Sequence, residues 1–163
     1  MGRSLIEGVP YHIDNYEAYV GKPIGESDWV KIDQARIDQF GEATDDRNPL
    51  HVDPEWAAAN GPFGGTIAHG FLTLSLLTHL SGSIRVDPGR FQGVIMGVNY
   101  GFDKVRFISP VKVGSRIRAR STLSDVQRKG PSGILSTRTM TVEIDGEDKP
   151  ACIADWLTLI QYG

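Results

Sequence analysis

A chain of 163 residues, 40% hydrophobic and 23% charged, has the make-up of one soluble globular domain around a single core. Its formal net charge of -3 excludes nucleic acid as the main partner, because neutralising phosphates requires a basic excess. A lone cysteine, Cys152, leaves no internal disulfide and no thiolate metal cage, which fits a reducing, cytoplasmic compartment.

Residues 1–10 carry no apolar run after Arg3, so they do not read as a secretory leader. No stretch has the apolar length of a membrane span. The best candidate, residues 71–80, is interrupted by Thr73, Ser75, Thr78 and His79. There is no internal repeat and no low-complexity segment.

Taken in order, residues 15–20 predict a short helix, closed by Gly21 and Pro23, and residues 29–32 a short strand. Asp33 is placed to cap a helix running to about Ala43, with Ile37 and Phe40 on its inner face. A turn follows at Asp46-Arg47-Asn48-Pro49-Leu50-His51. Asp53-Pro54 then starts a further helix, which Asn60-Gly61 ends. Residues 62–65 are loop chemistry. From His69 to Leu80 nearly every side is apolar, which predicts a buried helix. The second half reads as strands over residues 91–100, 104–108, 115–126, 134–145 and 151–161. Arg116, Arg118 and Arg120 alternate with Ile117, Ala119 and Ser121, the pattern of a strand with one wet face. Turn residues at 129–133 and 145–148 join neighbouring strands and predict antiparallel pairing. The expected architecture is α+β: a curved antiparallel sheet wrapped around one buried helix, the hot-dog arrangement.

The chemistry concentrates in the 46–51 turn. Histidine titrates nearest neutrality and is the usual general acid or base. Pro49 could fix a turn that brings a carboxylate to His51, so that the two share one water and divide its protons. Spacing alone leaves Asp45 and Asp46 as alternatives. It also leaves open that the carboxylate simply bonds its own turn. Gly70 opens the apolar helix, where its N–H has no partner within the helix and meets the positive end of the dipole. A glycine there would let a thioester oxygen approach an oxyanion hole, or would serve only close helix–sheet packing.

His69 reads as a helix-start residue bonded to main chain, and His79 as a core or C-terminal partner. His12 has no cluster around it. Asp46, His51 and Asp53 on a loop with no second histidine nearby are a weak metal set, so no metal is expected. Ser75 could line a pocket or bond the carbonyl one turn back. The three arginines read first as a solvated face; they could also meet the phosphates of a nucleotide-bearing substrate or dock an acidic carrier protein.

Together these residues resemble a known family. Phe40-Gly41-Glu42-Ala43-Thr44-Asp45-Asp46-Arg47-Asn48-Pro49-Leu50-His51-Val52-Asp53-Pro54 resembles the hydratase motif of MaoC-like dehydratases, which include the R-specific enoyl-CoA hydratases. Ile67-Ala68-His69-Gly70-Phe71 is similar to the start of that family's central helix. Residues 99–107 with Pro110-Val111 resemble its nodulation-protein-N-like branch. The likeness runs from about Trp29 to the C-terminus.

The resemblance implies one hot-dog domain over residues 1–163, usually a homodimer joined edge to edge. It implies Asp46 rather than Asp45 as the acidic catalytic residue, with His51 as its partner. It also implies Gly70 as the oxyanion donor, Asn48 as site support and Ser75 as a pocket-lining residue. The implied activity is reversible hydration of a trans-2-enoyl-CoA to the R-3-hydroxyacyl-CoA, without a cofactor. The alternatives are the same chemistry on acyl-carrier-protein substrates, or a non-catalytic acyl-thioester-binding protein. Many members carry proline where this chain has Thr66, which would make the 64–66 loop more mobile and could alter chain-length preference.

Overall fold

The computed structural model describes residues 15–86 and 92–163. Residues 1–10, His12 and Phe91, read above as sequence, lie outside the described residues. The first element is a 3-10 turn, Tyr16–Tyr19, where a short helix is expected. Strands β1 (Pro23–Glu26) and β2 (Val30–Lys31) follow, then helices α1 (Gln34–Thr44), α2 (Pro49–Val52) and α3 (Pro54–Asn60). Helices α4 (Gly70–Ser75) and α5 (Leu77–Gly82) lead into four long strands. These are β3 (Val94–Phe107), β4 (Arg116–Lys129), β5 (Gly133–Ile144) and β6 (Cys152–Tyr162). β1 had no counterpart in the sequence reading, because Pro23 and Gly25 disguise a four-residue strand as a turn.

Among the described residues the strands form one antiparallel sheet in the order β1-β4-β5-β6-β3, with β2 also paired to β4. The hot-dog arrangement is present: α4 and α5 lie in the concavity of this sheet. Leu72, Leu77 and Leu80 pack with Ile117, Met140, Val142, Cys152 and Trp156 in the main core. A second cluster of Tyr16, Tyr19, Ile24, Ile84, Leu123, Ile134 and Tyr162 closes the other end. Ile117, Ala119, Ser121 and Leu123 are buried while Arg116 and Arg120 face water, as the period-two pattern requires.

Three expectations are corrected. The strands expected over 91–100 and 104–108 are one strand, β3, whose register shifts between Asp103 and Arg106. Lys104 within it takes φ +50, so the break read from the sequence is a bulge rather than a chain end. The central helix is interrupted at Leu76 and is not buried all round: Phe71 is 67% exposed, and Ser75, Thr78 and His79 on the same face are open as well. That face is uncovered because this chain supplies only one wrap of sheet. The apolar face of β3 is open too, with Ile95 and Tyr100 at 70% and 66% exposure.

The third correction concerns Thr66. It is 1% exposed, and its hydroxyl donates to Gln34 Oε1 at 2.5 Å, so the position that carries proline in many relatives is tethered rather than loose. The neighbouring Ile67 bridges to Lys112.

Candidate active site

The 46–51 segment is built from two caps. Asp33 starts α1 by accepting the Arg36 N–H at 3.0 Å, and Asp45 ends it in a left-handed conformation, φ 57. Asn48 then caps α2, its Oδ1 accepting the Leu50 N–H at 3.0 Å, with Pro49 at the first helical position. The expected turn is therefore a one-turn helix. It is this helix that carries His51 back toward Asp46. Gly41 on α1 lets the loop close in: a Cβ there would lie 2.9 Å from the Asp46 carbonyl oxygen.

His51 is held from two sides. Its Nδ1–H donates to the Ile67 carbonyl at 2.8 Å, and its own carbonyl accepts from Gln34 Nε2 at 2.8 Å. A carbonyl can only accept, so the proton sits on Nδ1 and the Nε2 lone pair is left for chemistry. Gln34 in turn accepts from Thr66 and donates to Asp38 Oδ1 at 2.7 Å. Thr66, Gln34 and Ile67 thus fix the His51 position. Nothing in the local spacing marks them, since Gln34 and Thr66 are 32 residues apart in sequence.

Asp46, not Asp45, joins the cluster. A carboxylate oxygen of Asp46, a ring nitrogen of His51 and a ring nitrogen of His69 all lie within 4.8 Å of one another. Two hydrogen bonds of roughly 2.8 Å meeting at one water span about that distance. The Asp46 side chain is 54% exposed, so solvent reaches the pair.

His69 is 2% exposed and its Nε2–H donates to the Asp46 carbonyl at 2.9 Å, the main-chain role expected of it. It also supplies the second histidine that the sequence reading lacked near Asp46 and His51. Three donors within reach raise the question of a metal. The His51 and His69 rings, however, stack with centroids 3.9 Å apart and planes tilted by 31°. Lone pairs lie in the ring planes, so two stacked imidazoles aim past each other rather than at one ion about 2 Å from both. The arrangement suits an acid–base pair with a supporting ring better than a chelate.

A cleft of about 260 Å³ opens in front of His51. Its walls include Ile67, Gly70, Thr73, Phe107, Pro110 and Val111. Gly70 is the first residue of α4, and a Cβ there would meet the Phe107 ring at 3.1 to 3.2 Å. A side chain there would press on that ring, and Gly70 is one of the residues lining the cleft that His51 also lines. Ser75 faces out on the open side of the central helix and is not among the residues lining that cleft.

A larger cavity, about 400 Å³, lies at the far end of the central helix. Its walls are mostly apolar, with Ile24, Ile84, Val94 and Ile160, and it contains neither member of the Asp46–His51 pair.

The arginine row offers little free charge. Arg118 pairs with Glu26 and Glu143 at 2.9 and 2.7 Å, Arg120 with Glu26 at 2.7 Å, and Arg116 with Asp145. Among the described residues no helix is long and apolar enough to cross a membrane.

The MaoC-like domain model matches residues 15–144. The chain is 50% identical over 143 residues to nodulation protein N of Rhizobium leguminosarum bv. viciae, covering 88% of this chain and 87% of that one. It is 47% identical over 145 residues to 3-hydroxyacyl-thioester dehydratase Z of Mycobacterium tuberculosis, covering 89% and 91%. Among solved structures, the (R)-hydratase of A. caviae involved in PHA biosynthesis superposes with a TM-score of 0.67 at 25% identity, covering 85% and 94%. With the catalytic motif, the hot-dog sheet and these similarities in agreement, the chain belongs to the MaoC-like dehydratase family and is a hydro-lyase.

Proposed function

We propose that this protein is an R-specific hydratase that adds water reversibly to trans-2-enoyl-CoA, giving the (R)-3-hydroxyacyl-CoA. The observation that carries the reading is the Asp46 carboxylate beside the His51 ring, in reach of one shared water, with Gly70 among the residues lining the adjoining cleft. One member of the pair takes a proton from the water as its oxygen bonds to the β carbon. The other delivers a proton to the α carbon on the same face, and a proton then passes back across the pair to reset it. The Gly70 N–H receives the thioester oxygen as negative charge builds there. Asn48 keeps the pair in register by capping α2. No cofactor enters this scheme, since the thioester itself acidifies the α proton.

The apolar cavity beside Gly82 is the volume offered for an acyl tail. The ion-paired state of Arg116, Arg118 and Arg120 favours a CoA substrate over an acidic carrier protein, for which a basic patch would be needed. A homodimer, in the cytoplasm, completes the reading. Among the described residues β3 is paired only to β6, and its apolar face, with Phe71, is exposed; a second copy laid there would cover both and bring Ser75 against a partner.

The test is hydration of crotonyl-CoA and longer trans-2-enoyl-CoA esters by purified protein, with chiral analysis of the product and the same acyl groups on carrier protein for comparison. R-product from CoA esters supports the reading. S-product, or activity on carrier-bound substrates alone, removes it.

A further inference from the structure

His69 is a buried titratable group beside the Asp46–His51 pair that the scheme above leaves without a task. Its surroundings set it apart. Its Nε2–H is fixed on the Asp46 carbonyl at 2.9 Å. Its ring lies against the His51 ring at 3.9 Å. Its Nδ1 is buried and has no hydrogen-bond partner among the described residues. Phe40 packs against it, ring centroids 5.1 Å apart, and a Cβ on Gly41 would come within 3.5 Å of its Cε1. A helix-start residue needs none of this: the His69 side chain makes no cap hydrogen bond to α4.

We propose that His69 is a positioning residue of the hydration reaction, one buried ring that sets the Asp46 main chain and the His51 imidazole against each other; the proposal rests on the hydratase reading of that pair.

Asp46 is half exposed and His51 sits on a one-turn helix, so neither is strongly anchored by its own element. The His69 side chain touches both. Its donor end fixes where the Asp46 backbone lies, and its ring face fixes how His51 can turn about the Nδ1–H···Ile67 bond. Displacing reacting groups by about 1 Å costs on the order of 100-fold in rate, so a shared anchor of this kind acts on turnover. The orphan Nδ1 fits the same role. With Nε2–H committed, a second proton on Nδ1 would be a buried donor without an acceptor. The His69 ring meets the His51 ring across the 3.9 Å contact, and that contact limits how His51 can turn.

Two substitutions separate the two contacts. His69→Gln keeps an N–H donor that reaches the Asp46 carbonyl but removes the ring; His69→Phe keeps a ring against His51 but removes the donor. Each is expected to lower kcat for enoyl-CoA hydration by about 10- to 100-fold with KM within about threefold, a split that reports misplaced reacting groups rather than lost binding. The second readout needs no turnover. In nitrogen-15 spectra of the ring nitrogens, His51 should show one tautomer, Nδ1–H, in the native protein and in His69→Phe, and a mixture in His69→Gln. Folded variants with native kcat overturn the proposal. So does a loss of activity that merely follows the folded fraction while the His51 spectrum stays native in His69→Gln. If the native enzyme hydrates no enoyl thioester, the hydratase reading fails, and the His51 spectra still decide whether His69 orients that ring.

Discussion

The Nδ1–H of His51 donates to the main-chain oxygen of Ile67 at 2.8 Å, two residues before the buried His69 and three before Gly70. One strap of chain, 66–70, therefore fixes the tautomer of the His51 imidazole, lays His69 against its ring and carries Gly70, the proposed oxyanion donor. The anchor of His51, the ring against it and the glycine on the cleft are near neighbours on that strap, and α2 brings His51 to it.

Asp46→Asn and His51→Gln should each reduce kcat for enoyl-CoA hydration by at least about 100-fold, the usual range for a lost general acid or base. Asp46 is half exposed and accepts from His69 through its backbone, so Asp46→Asn should leave the melting temperature nearly unchanged. Turnover assays beside thermal melts check both halves.

Gly70→Ala should destabilise the protein by about 1–3 kcal/mol, because its methyl group would press on the Phe107 ring. Adding Phe107→Ala removes that clash and should restore much of the stability. Activity should stay low in the double variant, since a methyl group still obstructs the approach to the Gly70 N–H. Full recovery of activity there would assign the glycine to packing alone.

Asn48→Ala removes the cap on α2 and should cost about 0.5–2 kcal/mol of stability. The loss of kcat should be larger than the loss of stability implies, since α2 carries His51. Denaturant titrations set against kcat test the difference.

Ile95→Lys places a charge on the exposed apolar face of β3, and Ile95 is 70% exposed in the single chain. If that face is the dimer contact, sedimentation should change from dimer to monomer. A native protein that sediments as a monomer at all concentrations removes the dimer from the reading.

Burial pushes the Cys152 thiol from 9.0 up to about 11. The unfolded chain then loses its thiol proton first as pH rises, so the stability this thiol contributes is whole below about pH 9 and is lost between about 9 and 11. Cys152→Ala should show a shallower fall in unfolding free energy across that window, and the native thiol should resist alkylation at pH 8.

Much of the outcome was legible along the chain because it rests on local rules. Asp33 and Asp53 cap where short polar side chains meet free N–H groups, and the alternation from Arg116 to Leu123 sorts one face to water and the other to the core. The spacing of Asp46 and His51 and the glycine at 70 mark the candidate segment, and the motif resemblance implies Asp46 rather than Asp45 and adds Asn48. Tertiary structure alone decided what depends on distant residues sharing space. It tied Thr66 to Gln34, set Ile67 to hold His51, ran two expected strands together through a bulge at Lys104, and neutralised the arginine row with Glu26 and Glu143. It also left one face of the central helix open, which no hydropathy pattern reveals, because burial depends on how far the sheet wraps and not on how apolar the helix is. Above all it laid His69 on His51, a contact between residues 18 apart that only the packing of two helix ends creates.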